Sequence, residues 1–143
     1  IPAGGMRLPK SIQTSKTKTD QTGNIRSQEN INMKGLDVWS FINSVVPKQI
    51  KLLLSNNNLV KKDIDQFIFH QASQMTLDSV IRSLKLDEEK VFINIRDIGN
   101  TVSASIPIAL KDAIEQNKIK TGHKVVLAGF GVGLSYGSIL MEF

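Results

Sequence analysis

From residue 36 onward, apolar residues change repeatedly between helical and strand-like spacing in this 143-residue chain. A helical spacing covers residues 36–55, a strand pattern follows at 66–69, and a helical spacing returns over 74–84. Strands that alternate with helices of this length are typical of layered α/β domains. The pattern therefore predicts an α/β fold with a mixed sheet, and it predicts a kink at Pro47 inside the first helix.

The carboxy-terminal part continues this alternation. The spacing predicts a second strand over 91–95, a third helix over 106–116 and a buried strand over 125–130. A last strand is expected over 134–143, antiparallel to its predecessor because the glycine-rich connection between them is short. We expect about four to five strands, a common sheet size, and three main helices.

The first 30 residues lack an apolar pattern and are rich in Ser, Thr, Gln, Lys and Gly. Such a composition predicts a connector or loop that is disordered unless a partner segment holds it. We therefore divide the chain into a connector over residues 1–30 and an α/β domain over 31–143. Because the sequence opens in "IPAGG" and not in methionine, we also expect a longer parent protein.

Basic residues concentrate at the front of the chain. Residues 1–62 hold ten Lys or Arg against three acidic residues, whereas residues 63–143 hold eight against ten. A basic surface favours phosphate-bearing or acidic partners, but an ordinary solvated face accounts for the same charges and is the more common case. Nucleic acid is disfavoured as a partner, since only Trp39 and Phe41 could stack on bases in the basic part. No apolar run approaches the ~20 residues of a membrane helix, so we expect no membrane span, and the composition favours a cytoplasmic location.

The chain has no cysteine, so it can form no disulfide, zinc–thiolate site or thiol nucleophile of its own. Its two histidines, His70 and His123, are too few for a metal centre, and we predict no metal. His123 lies in a predicted turn and is expected to be exposed. Asp63 and Asp65 alternate before a strand, a pattern that solvent exposure explains better than a catalytic carboxylate pair.

Three segments place polar or glycine residues directly after predicted regular elements. They are "FIFHQA", which contains His70, "GNT" at 99–101 and "GFGVG" at 129–133. Each has an ordinary structural explanation, namely a partly buried histidine, a turn asparagine and a glycine turn. The glycine run also lacks the strand-to-helix setting of a nucleotide site. Taken singly, the segments do not identify a function.

Together, the order and spacing of these segments resemble the carboxy-terminal half of β-ketoacyl-acyl-carrier-protein synthase III. The resemblance lies in "DIDQFIFHQAS", "GNTVSASIPIAL" and "GHKVVLAGFGVGLSYGSILMEF", and it extends upstream through "INMKGLDVWSF". It implies one half of a thiolase-type fold, in which two α/β halves share an active site and the enzyme is a homodimer. It further implies a bacterial fatty-acid synthesis enzyme that condenses acyl-CoA with malonyl-carrier protein and needs no cofactor beyond the CoA thioester substrate.

The resemblance also implies an active site. His70 and Asn100 correspond to the family's catalytic histidine and asparagine, whose partner cysteine belongs to the amino-terminal half. The backbone N–H of Val132 corresponds to part of an oxyanion hole, and Phe130 to an aromatic wall beside the carboxylate that leaves as carbon dioxide. Neutral imidazole and amide N–H groups suit a developing enolate oxygen, so we expect a lowered pKa for His70.

Further positions correspond to the substrate channel and to the rim on which an acidic acyl carrier protein docks. Met33 and Gly35 are channel candidates, and Ser73 and Met75 are rim candidates. Ser73 and Met75 replace the family's usual asparagine and basic residue, and Val102 replaces its usual serine. These departures leave open a diverged synthase III-like acyltransferase of secondary metabolism. A non-catalytic module for carrier binding or oligomerisation also stays open, and we expect this chain alone to be inactive for acyl transfer.

Overall fold

The computed structural model describes residues 1–131 and 133–143. The described chain divides into two compact units, Ile1–Gly35 and Leu36–Phe143. The boundary falls at the start of the longest helix in the described residues, α2 (Gly35–Asn56).

The first unit contains three short elements. They are a helix, α1 (Ile12–Ser15), and two antiparallel strands, β1 (Lys18–Thr19) and β2 (Ile25–Arg26). Helix α1 starts in a capping box, because Ser11 Oγ accepts from Thr14 N–H at 3.2 Å and the Thr14 hydroxyl accepts from Ser11 N–H at 2.7 Å. Local hydrogen bonds of this kind can define a short helix where the sequence has no apolar pattern.

Helix α2 confirms the first predicted helix to within one residue at each end. Its buried residues recur at helical spacing and are Ile42, Val46, Pro47, Ile50 and Leu54. The helix continues on both sides of Pro47, and the expected kink there stays a prediction. Neither α2 nor any other helix in the described part of the chain is long and apolar enough to cross a membrane.

The second unit is built on a three-stranded mixed sheet of order β3-β4-β5, with β3 (Gln66–Phe69), β4 (Lys124–Gly131) and β5 (Ser135–Glu142). β3 runs parallel to β4, with Phe69 opposite Ala128, and β5 is antiparallel to β4. All four residues of β3 are buried, as is usual for a strand with helices on both faces. The predicted mixed sheet and antiparallel last strand are confirmed, and with β1 and β2 the described residues hold five strands in two sheets.

Helices α3 (Gln74–Leu84) and α5 (Ser105–Glu115) contribute to two different cores. Successive residues of a strand point to opposite faces of its sheet. Phe67 and Phe69 pack in one core with α2 and α3, whereas Ile68 packs in the other with α5. The unit therefore has three layers, with helices on both sides of the sheet, and its three main helices are those predicted.

The strand predicted over residues 91–95 does not form. Val91 makes only an isolated parallel bridge to β3. The backbone N–H of Asn94 donates to a side chain, Gln71 Oε1, at 3.2 Å, and α4 (Ile95–Ile98) begins directly afterwards. The prediction was wrong because a polar side chain takes the place of a backbone partner and ends the ladder after one residue.

Candidate active site

His70 lies directly after β3, where the strand gives way to the loop before α3. Its N–H donates to Ala128 O on β4 at 2.9 Å, so the hydrogen bonding between the two strands extends to this residue. Its carbonyl oxygen accepts from Ala72 N–H at 2.8 Å, which turns the chain away from the sheet. Ligands of open α/β sheets bind at the carboxyl ends of parallel strands, and the backbone places His70 at that end.

Two side chains hold the His70 ring. The buried Phe130 ring packs edge-on against it, with centroids 5.6 Å apart and an angle of 76° between the planes. On another side, Ser105 Oγ lies 2.5 Å from His70 Nδ1. The predicted aromatic wall and the predicted catalytic histidine are therefore in contact.

Burial lowers the pKa of His70 below its ordinary value of 6.5, because desolvation penalises the charged imidazolium. The expected direction of this shift is confirmed. The ring is then neutral at pH 7, with a proton on one nitrogen and a lone pair on the other. A neutral ring can donate one hydrogen bond without bringing a charge into the site.

The lowered pKa of His70 predicts a loss of stability in acid. As the pH falls through 6.5, the unfolded chain binds a proton at His70 while the folded chain does not, so the free energy of unfolding decreases. The loss stops growing once the pH is below the folded-state pKa. Chemical denaturation at a series of pH values should show a smaller acid loss for His70→Gln than for the unchanged chain. His123→Gln, measured in parallel, shows what replacing the chain's other histidine does by itself. An acid loss in His70→Gln equal to that of the unchanged chain would contradict the lowered pKa.

Asn100 lies in the loop between α4 and α5. Gly99 before it adopts a φ of 75°, in the left-handed region that favours glycine. The Asn100 side chain is held at both ends, since Nδ2 donates to Ala72 O at 3.2 Å and Oδ1 accepts from Val102 N–H at 2.9 Å. The first of these bonds ties the Asn100 loop to the segment directly after His70.

Each of the two predicted catalytic side chains keeps a nitrogen whose hydrogen-bonding capacity is not used up by the described residues. Asn100 Nδ2 carries two protons, and within the described residues only Ala72 O accepts from it. The His70 ring bonds through Nδ1, and its Nε2 has no partner in the same part of the chain. The arrangement can therefore offer a ligand two neutral N–H groups when the ring proton is on Nε2.

Two buried polar residues that the sequence did not single out support this site. Gln71 Nε2 donates to Phe69 O at 2.9 Å, and its Oε1 accepts from Asn94, so it joins the strand end to the next loop. Ser105 contacts the His70 ring. The signal that could have revealed Ser105 is the four-residue spacing of small residues on the buried face of α5: Ser105, Ala109 and Ala113. Gln71 gives no such signal, because glutamine is usually exposed.

The other predicted site residues occupy varied positions. Ser73 is the N-cap of α3, and its Oγ accepts a backbone N–H of the first turn at 3.2 Å. Met75, in the same turn, is exposed. Met33 is also exposed, and Gly35 is the first residue of α2. Val132 lies outside the described residues. The binding and oxyanion functions predicted for these positions stay predictions.

Acidic side chains near β3 bond to the backbone. Asp63 Oδ2 accepts from Val60 N–H at 2.7 Å, and Asp65 Oδ2 accepts from Lys124 N–H at 2.8 Å. These bonds give the two carboxylates a structural role. Across residues 1–131 and 133–143, no group of three or more His, Asp or Glu side chains could hold a metal ion.

Comparison with known protein families gives a match over most of the second unit. Residues 54–143 match the family model described as 3-oxoacyl-[acyl-carrier-protein (ACP)] synthase III C terminal. The matched stretch includes His70, Asn100 and Phe130. These three predicted site residues thus lie inside the matched region.

Curated relatives extend this likeness to the whole chain. The chain is 38% identical over 142 residues to beta-ketoacyl-[acyl-carrier-protein] synthase III of Natranaerobius thermophilus, covering 99% of this chain and 40% of that protein. It is 36% identical over 144 residues to the protein of the same name from Fusobacterium nucleatum, covering 100% of this chain and 41% of that protein. The chain therefore spans about two fifths of the length of these relatives.

Solved structures give the same result for the fold. A 3-oxoacyl-(acyl-carrier-protein) synthase III crystal structure superposes with a TM-score of 0.94 at 34% identity, over 99% of this chain and 42% of that one. The synthase III of Thermus thermophilus superposes with a TM-score of 0.78 at 31% identity, over 86% of this chain and 38% of that one. The predicted fold class, one half of a thiolase-type fold, is confirmed.

Proposed function

This chain belongs to the 3-oxoacyl-[acyl-carrier-protein] synthase III family as its carboxy-terminal half, and we propose that it supplies the decarboxylation site of a longer condensing enzyme. The enzyme would join an acyl group from acyl-CoA to malonyl-carrier protein in fatty-acid synthesis. The observation that carries the proposal is the neutral His70 ring, held at the end of β3 with Nε2 uncommitted among the described residues, next to the loop that bears Asn100.

The first proposed step is loss of carbon dioxide from the malonyl thioester. The bond between the carboxylate carbon and the α-carbon breaks, carbon dioxide leaves, and the electron pair moves into the thioester as an enolate. His70 Nε2–H and Asn100 Nδ2–H donate to the enolate oxygen as its charge develops. Neutral, preorganised donors are effective for this purpose in a site from which water is excluded. The lowered pKa of His70 supports this neutral role.

The second proposed step forms the new carbon–carbon bond. The enolate carbon attacks the carbonyl of an acyl group carried on a cysteine of the amino-terminal half, and the thiolate leaves as the β-ketoacyl product forms. We assign the Val132 N–H to the oxyanion of this step. Phe130, in contact with His70, is assigned to the malonyl carboxylate, where an apolar surface disfavours the charged group and favours its departure.

The proposed partners are acyl-CoA, an acidic acyl carrier protein and the amino-terminal half of the same protein. The basic excess in residues 1–62, ten basic against three acidic residues, supports an acidic or phosphate-bearing partner. We extend the proposal to the homodimer that the resemblance implies and to the cytoplasmic location that the composition favours. Because the chain contains no cysteine, we propose that it is inactive for acyl transfer without its other half.

A diverged acyltransferase with altered specificity is the second candidate. Met75 and Val102 are exposed apolar side chains at positions where the family usually has a basic residue and a serine. Such changes leave His70 and Asn100 in place but alter the surface that a carrier or acyl chain would meet. The chemistry of this candidate is the same, and the preferred substrates differ.

The test is an assay of the full-length protein that carries this chain, with malonyl-carrier protein and a series of acyl-CoA thioesters. We expect carbon dioxide release and a β-ketoacyl-carrier product that depend on both substrates, as judged by omitting each in turn. Activity restricted to unusual acyl chains would identify the diverged enzyme. Binding of the carrier protein without any carbon dioxide release would contradict the enzyme proposal and identify a non-catalytic binding module.

A further inference from the structure

The hydroxyl of Ser105 is the one side-chain group within hydrogen-bond distance of the His70 ring in the described part of the chain. Its Oγ lies 2.5 Å from His70 Nδ1, and Ser105 is 2% exposed. Ser105 is the first residue of α5, and it shares the buried face of that helix with Ala109 and Ala113. The hydroxyl is therefore fixed by a helix that packs on the sheet bearing His70.

The direction of this hydrogen bond follows from the partners of the hydroxyl. Gln71 N–H donates to Ser105 Oγ at 3.4 Å, which uses one lone pair of the oxygen. Within residues 1–131 and 133–143, the Ser105 proton has no acceptor other than His70 Nδ1. If Nδ1 carried the proton instead, the buried Ser105 O–H would be left without an acceptor, which is costly.

We propose that Ser105 is a positioning residue that donates its O–H to His70 Nδ1 and so fixes the tautomer in which Nε2 carries the proton. The inference rests on the proposed function, in which Nε2–H is the group that donates to the enolate oxygen. Ser105 then acts through His70 and does not touch the substrate. It determines which nitrogen faces the reacting atoms as a donor and holds the ring plane against rotation.

The spectroscopic test is the tautomer of His70 in the full-length protein, read from two-bond nitrogen–proton correlations of ¹⁵N-labelled histidine at neutral pH. The His70 signals are assigned by their disappearance in His70→Gln. We expect a single neutral tautomer with Nε2 protonated, and in Ser105→Ala we expect the Nδ1 signal to move as it loses its hydrogen bond. Protonation at Nδ1 in the unchanged protein, or identical Nδ1 signals in both proteins, would overturn the inference.

The kinetic test uses Ser105→Ala with Ser103→Ala as a matched control. Ser103 belongs to the same "GNTVSAS" segment but is exposed. We expect Ser105→Ala to lower the kcat of malonyl decarboxylation about tenfold, the effect of one lost hydrogen bond, with KM for malonyl-carrier protein nearly unchanged. Ser103→Ala should behave as the unchanged protein, and an unchanged kcat in Ser105→Ala would overturn the inference.

The two tests separate this inference from the proposed function. If the unchanged full-length protein releases no carbon dioxide, the proposed function fails, while the tautomer measurement still decides whether Ser105 donates to His70. If the unchanged protein is active and Ser105→Ala is equally active with identical Nδ1 signals, only the inference about Ser105 fails.

Discussion

Replacing His70 or Asn100 with alanine in the full-length protein is expected to slow malonyl decarboxylation by about 10²–10³-fold, the usual effect of removing one oxyanion donor. Each substitution removes one of two neutral N–H groups that we assign to the enolate oxygen. Acylation of the protein by acyl-CoA should persist, because the cysteine assigned to that step belongs to the other half. Carbon dioxide release and acyl-enzyme mass, measured on the same samples, separate the two steps.

Matched controls for these variants exist in the same chain. His123→Ala removes the chain's other histidine. Asn57→Ala removes an exposed asparagine that, like Asn100, donates Nδ2 to a backbone carbonyl, in this case Leu53 O at 2.8 Å. Both controls should decarboxylate at the original rate. Full decarboxylation activity in both His70→Ala and Asn100→Ala would contradict the roles assigned to the pair.

The second large effect concerns stability. Leu77→Ala is expected to lower the free energy of unfolding by about 2–5 kcal/mol, because it removes a fully buried side chain and leaves a cavity. Leu77 is 0% exposed and packs in the core that joins α2 and α3 to the sheet. Urea denaturation of the chain and its variant measures the difference.

Leu52→Ala provides the comparison for this prediction. Leu52 is also a helical leucine, on α2, but it is 59% exposed. Its replacement should change the free energy of unfolding by less than about 0.5 kcal/mol. Equal losses for Leu77→Ala and Leu52→Ala would contradict the arrangement in which α3, the helix after His70, is anchored by its buried face.

The main helices and strands could be predicted because their apolar residues repeat at the period of the element. α3 has the predicted bounds, and its buried residues include Leu77, Val80 and Leu84. Such a helix is stabilised by burial of its amphipathic face, so its apolar spacing can be recognised in the sequence without knowing what the helix packs against. The antiparallel arrangement of β4 and β5 could be predicted on other grounds, because their connection is too short for a crossover.

Other features depend on hydrogen bonds between distant residues, which no local pattern displays. The strand expected at 91–95 is interrupted because Gln71, far away in sequence, accepts from Asn94. His123 was predicted to be exposed and is half-buried, and its backbone carbonyl accepts from Phe143 N–H at 3.0 Å. In both cases the contact joins segments that only the folded chain brings together.

The candidate site was predictable in part. His70 and Asn100 were identified from motif order, and the structure adds how each is held: Ser105 at His70 Nδ1 and the Ala72 carbonyl at Asn100 Nδ2. Ser105 escaped notice because a serine at the start of a helix is usually a solvent-exposed cap. Its burial depends on the packing of α5 against the sheet, which is a tertiary property.

The most direct test of the two-donor site is a crystal structure of the full-length protein with a malonyl thioester analogue that cannot lose carbon dioxide. The account predicts that the thioester oxygen lies within about 2.7–3.2 Å of both His70 Nε2 and Asn100 Nδ2, the range of N–H···O hydrogen bonds. A bound analogue whose thioester oxygen contacts neither atom would contradict it.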